Sequence, residues 1–153
     1  MRSVREYCYR VRVNRDRPDF RTVIAFLYGD FHEVDTEGNS SNPASREWTA
    51  LYIKDRKSDD PSVDIGAVST DPLLLEVSSK DEMMALRVAM FLYDRCGTAV
   101  FSVEKEVDIE KAWAAIDSDW NLKAAMARAK HSIWNRSTLD NPYPHHSGAT
   151  EGE

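Results

Sequence analysis

The chain opens with an alternation. In "REYCYRVRV", Tyr7, Tyr9, Val11 and Val13 fall on one face and Glu6, Cys8, Arg10 and Arg12 on the other, the period of two of a half-buried strand. "DRPDFRTVIAFLYG" then changes period: Phe20, Val23, Ile24, Leu27 and Tyr28 recur at helical spacing, with Asp16 as the predicted cap, Pro18 in the first turn and Gly29 as the stop. From Asp35 to Arg46 the composition is that of a loop. "EWTALYIKD" returns to a strand, with Trp48, Ala50 and Tyr52 on one face and Leu51 and Ile53 on the other, so both faces of the sheet need covering there. "VDIGAVSTDPLLLEV" reads as a hairpin, or as one long strand broken at Asp71-Pro72 where proline cannot donate to the ladder.

The second half repeats the theme. Ser79 and Glu82 have capping-box spacing ahead of the helix "DEMMALRVAMFLYDRC", whose Met83, Leu86, Met90 and Met84, Val88, Phe91 rows form a broad apolar face that Gly97 ends. "TAVFSVEKEV" alternates again, Ala99, Phe101 and Val103 against Thr98, Ser102 and Glu104. Asp108 opens a helical region with Ile109, Trp113, Ile116 and Trp120 at intervals of three or four, and "DSDWN" leaves it as one rod or two pieces. Residues 137–153 lack periodicity and are expected to form a disordered tail.

This order predicts an α+β domain over residues 1–136 with the ferredoxin-like succession β-α-β-β-α-β and a C-terminal helical extension. The right-handed crossover rule puts the first strand in the centre and turns Arg10 and Arg12 toward the face left bare by the crossover helices. Trp48 and Tyr52, if they share that face, need a cover. The C-terminal helix or a second copy of the chain would supply it.

Composition narrows the classes of function. A chain of 153 residues with 42% hydrophobic and 30% charged residues can bury a core without staples. No apolar run approaches a membrane span and the first residues lack a signal-peptide pattern, so no membrane partner and a cytoplasmic location are expected. Cys8 and Cys96 lie far apart inside separate elements and read as free buried thiols. Net charge is -6, although residues 1–21 hold seven arginines against three acids. Overall acidity argues against nucleic-acid binding, which draws its affinity from cations that displace counterions.

The most conspicuous chemistry is "YGDFHEVDTEG", with Asp30, His32, Glu33 and Asp35 inside six positions. On a strand, Asp30 and His32 would face away from Glu33 and Asp35, and neither a His-Glu-x-x-His nor a calcium-loop spacing is present. The stretch reads as a wet loop, and no metal or cofactor is expected. Arg10 and Arg12 share a pleat and form a candidate clamp for an anionic ligand, with pairing to Glu or Asp on neighbouring strands as the favoured alternative. Trp48 and Tyr52 suit base stacking or, more in keeping with large aromatics, burial and partner contact. Trp113 and Trp120 lie in a stripe too apolar for a solvated rod and join them as candidate partner-binding residues. No nucleophile elbow, phosphate loop or Cys-x-x-Cys occurs. The sequence therefore reads as a small acidic non-enzymatic domain that binds a protein partner, a second copy included. The alternatives are a small-molecule or anion site, or a small enzyme, on the Arg-lined sheet face, and after that single-stranded nucleic-acid binding.

Overall fold

The structure is a computed structural model and describes residues 6–38, 43–102 and 105–144. Its strands are β1 (Tyr7–Val13), β2 (Val34–Gly38), β3 (Ala50–Asp55), β4 (Val63–Thr70), β5 (Leu73–Ser79), β6 (Gly97–Ser102) and β7 (Lys105–Glu106). The helices are α1 (Arg21–Leu27), α2 (Glu82–Cys96), α3 (Ile109–Asp119) and α4 (Leu122–Lys130), followed by a 3-10 turn at Ile133–Arg136. All seven strands form one sheet in the order β2-β3-β4-β5-β1-β6-β7, antiparallel at every pairing.

The α+β class holds, but the ferredoxin-like succession does not describe a sheet of seven strands. Three features account for this. The presumed loop after Asp35 supplies edge strand β2, "VDIGAVSTDPLLLEV" takes the hairpin of its two readings as β4–β5 with Asp71 and Pro72 at the turn, and "TAVFSVEKEV" gives two antiparallel strands, β6 and β7, in place of one. What survives is local: β5 and β6 are both antiparallel to β1 and flank it, so β5-α2-β6 is a split crossover with β1 between its strands.

Alternation decides the faces. Tyr9, Val11 and Val13 of β1, Leu75 and Val77 of β5, and Leu51 and Ile53 of β3 are buried on one side. There they meet α2, which packs on β1, β5 and β6. Helix α1 carries Val23, Ile24, Ala25, Phe26 and Leu27 in succession and has every residue buried. A helix apolar all round needs cover on both sides. The outer cover is the C-terminal extension, with α4 on α1 and α3 on α2. The extension therefore lies over the helices and not over the bare sheet face expected for it. It is two pieces, since Trp120 is extended and the Asn121 side chain accepts from Ala124 N–H to cap α4.

The ends of α1 explain why its cover is so firmly placed. The carboxylate at its start is Asp19, not Asp16. It accepts from Arg21 N–H at 2.8 Å, and from Arg21 Nε and Nη2 at 2.9 and 2.7 Å. Both side chains are buried. Ser137 Oγ donates to the same carboxylate, and Arg21 Nη2 also donates to Pro142 O at 2.7 Å. Residues 137–144, expected in a disordered tail, thus include the buried Ser137 and a carbonyl held by Arg21, while 145–153 lie outside the described residues. At the other end Gly29 stops the helix with φ 111°, and Arg128 donates to the carbonyls of Ala25, Phe26 and Leu27 at 3.1, 2.7 and 3.3 Å. Those carbonyls belong to the last turn, where a helix leaves its acceptors unpaired.

Helix α2 is capped by Asp81, which accepts from Met83 N–H at 3.0 Å, and not by Ser79, which instead accepts from Asp81 N–H. It runs into β6 with no loop. Gly97 makes that possible: a Cβ there would sit 2.8 Å from Tyr93 Cα and 2.8 Å from Val11 Cγ1.

Two stability outcomes follow from this packing. Gly97→Ala forces backbone or core apart and is expected to cost about 1–3 kcal/mol in urea unfolding, with an unchanged m-value. Asp19→Ala leaves the Arg21 guanidinium buried without its counter-charge and is expected to cost about 3–5 kcal/mol by the same measurement. A loss below about 0.5 kcal/mol would show that the pair does not anchor the C-terminal segment.

Candidate functional site

Strand β2 closes one end of the sheet, so among the described residues its outer edge has no neighbouring strand. Its register puts Val34 opposite Asp55 and Thr36 opposite Ile53, both buried on the helix side of β3, while Asp35 and Glu37 pair with Lys54 and Tyr52 on the bare side. The space over Val34 and Thr36 is bordered by Arg21 and Ile24 of α1. Two adjoining depressions lie there, of about 280 and about 200 Å³, sharing Phe20, Thr36 and Pro43. Together they form a groove alongside the free edge. The smaller end is walled by Trp48 and Leu51, the larger by Arg21, His32, Trp134 and Tyr143.

Each wall is fixed from outside. The Trp48 indole N–H donates to Pro18 O at 2.8 Å and the residue is 2% exposed, so Trp48 is a fixed wall of the groove and not part of an open aromatic platform. Alternation extended back past Ala50, where the strand begins, puts it on the Tyr52 face instead. The Arg21 guanidinium carbon lies 3.9 Å from the Trp134 ring centroid and 5.2 Å from that of Tyr143. Its Nη1 is buried without a hydrogen-bond acceptor, and the π face of Trp134 takes that place.

The four residues of "YGDFHEVDTEG" separate. Asp30 accepts from Ser132 Oγ at 2.6 Å and from Ile133 N–H at 3.0 Å, fastening the 3-10 turn that carries Trp134. His32 Nε2 is 2.9 Å from Asp55 Oδ1, and its ring stacks on Tyr28 with centroids 4.7 Å apart. Glu33 and Asp35 pair on the surface with Lys57 at 3.6 Å and Arg56 at 3.3 Å. Among the described residues no group of three or more His, Cys, Asp or Glu is gathered in a way that could hold a metal ion.

Asp55 is the electrostatic anchor of this corner. Hydrogen bonds from Lys57 N–H first, then from Ser58 Oγ and His32, hold its carboxyl at about 2 against the ordinary 3.8, burial acting the other way. Tyr28, donating to Asp60 at 3.5 Å, has its hydroxyl pushed well above its ordinary value, by burial first and then by the charges of Asp60 and Asp55.

The remaining sequence-predicted residues lie elsewhere. Arg10 and Arg12 are exposed on the bare sheet face, Arg10 paired with Glu76 at 3.1 Å and Arg12 donating to Thr98 at 3.3 Å with its guanidinium over Phe101. Tyr52 is half-buried on that face. Trp120 packs inward, edge-on to Phe26 with centroids 5.2 Å apart and under the Arg87 guanidinium. Trp113 lines a separate groove between α3 and α4. Cys8 is exposed rather than buried, and Cys96 is buried with its thiol pushed up to about 11 by burial. Sequence reasoning missed Phe20, Arg21, Thr36, Trp134 and Tyr143 as wall residues. The available signal was the Val34/Thr36 against Asp35/Glu37 alternation and the aromatic inside "NPYP". Compared with protein-family models, curated proteins and solved structures, the chain matches none.

The low carboxyl value of Asp55 gives a pH dependence with a definite sign. A depressed acid stabilises the folded state above the unfolded value and loses that contribution as pH falls through the folded one, here between about 3.8 and about 2. Over that window Asp55→Asn is expected to show a flatter fall of the urea midpoint with decreasing pH than wild type, and above pH 5 a constant offset. Parallel curves through the window would remove Asp55 as the source.

Proposed function

We propose that this chain is a protein-binding domain, with no catalytic role of its own, that takes an extended basic segment of a partner as an added strand on β2. The observation that carries this reading is the edge of β2, without a neighbouring strand among the described residues, beside a groove lined by Val34 and Thr36 with Glu37 at its smaller end. An added strand gains affinity from main-chain hydrogen bonds and specificity from pockets that take every second side chain. Here one set of partner side chains would drop between Phe20, Trp48 and Trp134, and the other would pass Asp35 and Glu37.

Those two acids bear on the choice of partner. A free edge is a template for unwanted pairing, and charge on it is a common defence. Two acidic edges of this chain repel one another, whereas a segment rich in Lys or Arg is drawn to them and to the -6 chain as a whole. Arg10 and Asp35 each already have an intramolecular partner, so the groove over Val34 and Thr36, rather than charge, ranks the β2 edge above the bare sheet face.

Selection of displayed random peptides on the wild-type chain is expected to yield extended sequences alternating Lys or Arg with small or apolar residues. Bound peptide should slow amide exchange over 34–38. Thr36→Arg fills the groove from an exposed position and should weaken these peptides about tenfold or more, while Arg10→Ala and Arg12→Ala leave them unchanged. Peptides that bind Thr36→Arg as well as wild type, protection confined to β1 and β6, or no selected peptides at all would overturn the reading.

A further inference from the structure

On the side of the helical layer turned away from the sheet, α3 and α4 leave between them a groove of about 390 Å³ that is almost wholly apolar. Trp113 and Ala114 line it from α3 and Leu122 and Met126 from α4, with Asp117 and Lys123 as its charged lining residues. Trp113, Leu122 and Met126 are half-buried, so the core uses only part of each. Spacing makes the two walls regular: Trp113 and Asp117 are one turn apart on α3, as Leu122 and Met126 are on α4.

The walls differ in sign. Along α3, Glu110, Asp117 and Asp119 outweigh Lys111, whereas α4 holds Lys123, Arg128 and Lys130 and no acid, Arg128 being turned inward to the α1 carbonyls. A partner of one sign, acidic or basic, would meet one wall of like charge. A second copy of the chain related by a two-fold axis running along the groove would not, because each α3 would then face the other copy's α4. An isologous interface requires a patch of this self-complementary kind.

We infer that the chain forms a two-fold dimer through the α3–α4 groove, with Trp113 as the apolar anchor and Asp117 of each copy set against Lys123 of the other. Tryptophan is enriched among the few residues that carry most of an interface's binding energy. This face is distinct from the β2 edge, so the dimer would carry two peptide-binding edges, and the inference stands whether or not that edge binds a peptide.

Sedimentation of the full chain, folded by circular dichroism, tests it directly. Wild type is expected at twice 17.5 kDa at micromolar concentration. Asp117→Lys and Lys123→Asp, each alone, should sediment as monomers because like charges now meet across the axis. An equimolar mixture of the two variants should return to dimer mass, since each then supplies the charge the other lacks. A merely structural effect of either substitution would not be repaired by mixing. Wild type that stays monomeric up to about 100 μM, single variants that remain dimers, or a mixture that remains monomeric would each overturn the inference.

Discussion

The buried pair of Asp19 and Arg21 is the contact on which the rest of the molecule hangs. An isolated helix of seven residues has almost no stability of its own in water, and α1 is placed between the sheet and the outer helices with every side chain inside. Taking an ion pair out of water is costly unless every lone pair and proton finds a partner. Asp19 finds Arg21 and Ser137, and Arg21 finds Asp19, Pro142 O and the face of Trp134. Satisfying this pair requires the segment after α4, so the same charges that begin α1 draw the C-terminal residues across it. The groove beside β2 is a consequence: Trp134 and Tyr143 stand where they do because they pack against Arg21.

The same device appears a second time. Arg87 of α2 lies over Trp120 with its Nε buried and without an acceptor, as Arg21 of α1 lies over Trp134 with its Nη1 so placed. Each inner helix thus holds the outer layer through one guanidinium on one indole. A flat cation on an aromatic face keeps much of its stabilisation with few hydrogen bonds, which suits a layer boundary between helices. Arg128 works in the opposite direction, reaching from the outer layer to close the carbonyl end of α1.

How much of this was legible in the sequence depended on the range of the deciding contact. β1, α2 and the stop at Gly29 rest on periodicity and local backbone preference, and could be read directly. β2 is faint in the sequence, because the alternation of Val34 and Thr36 against Asp35 and Glu37 is short and holds one apolar residue, and Asp, Thr, Glu and Gly in succession resemble a loop. Trp48 was assigned to a strand face although the strand starts two residues later, and its burial follows from an indole hydrogen bond to Pro18 that no spacing reveals. The exposure of Arg10 and Arg12 on a bare face followed from alternation and chirality alone. The groove did not, since its walls join Arg21 to residues more than a hundred positions away through a buried charge.

The register of β1 has a consequence for how the chain comes into being. Tyr7 to Val13 pair on one side with Leu73 to Ser79, and Tyr9 to Val13 on the other with residues from Gly97 to Ser102. In a nascent chain leaving the ribosome, the β2–β3–β4 meander can close among its own neighbours, but the arginine-bearing first strand must wait for segments made much later. Until then it is an unpaired edge with one apolar face, open to chaperones or to other nascent chains. Loop closure over such distances slows folding, and the segment that seals α1 from outside, with Ser137 and Pro142, is synthesised later still.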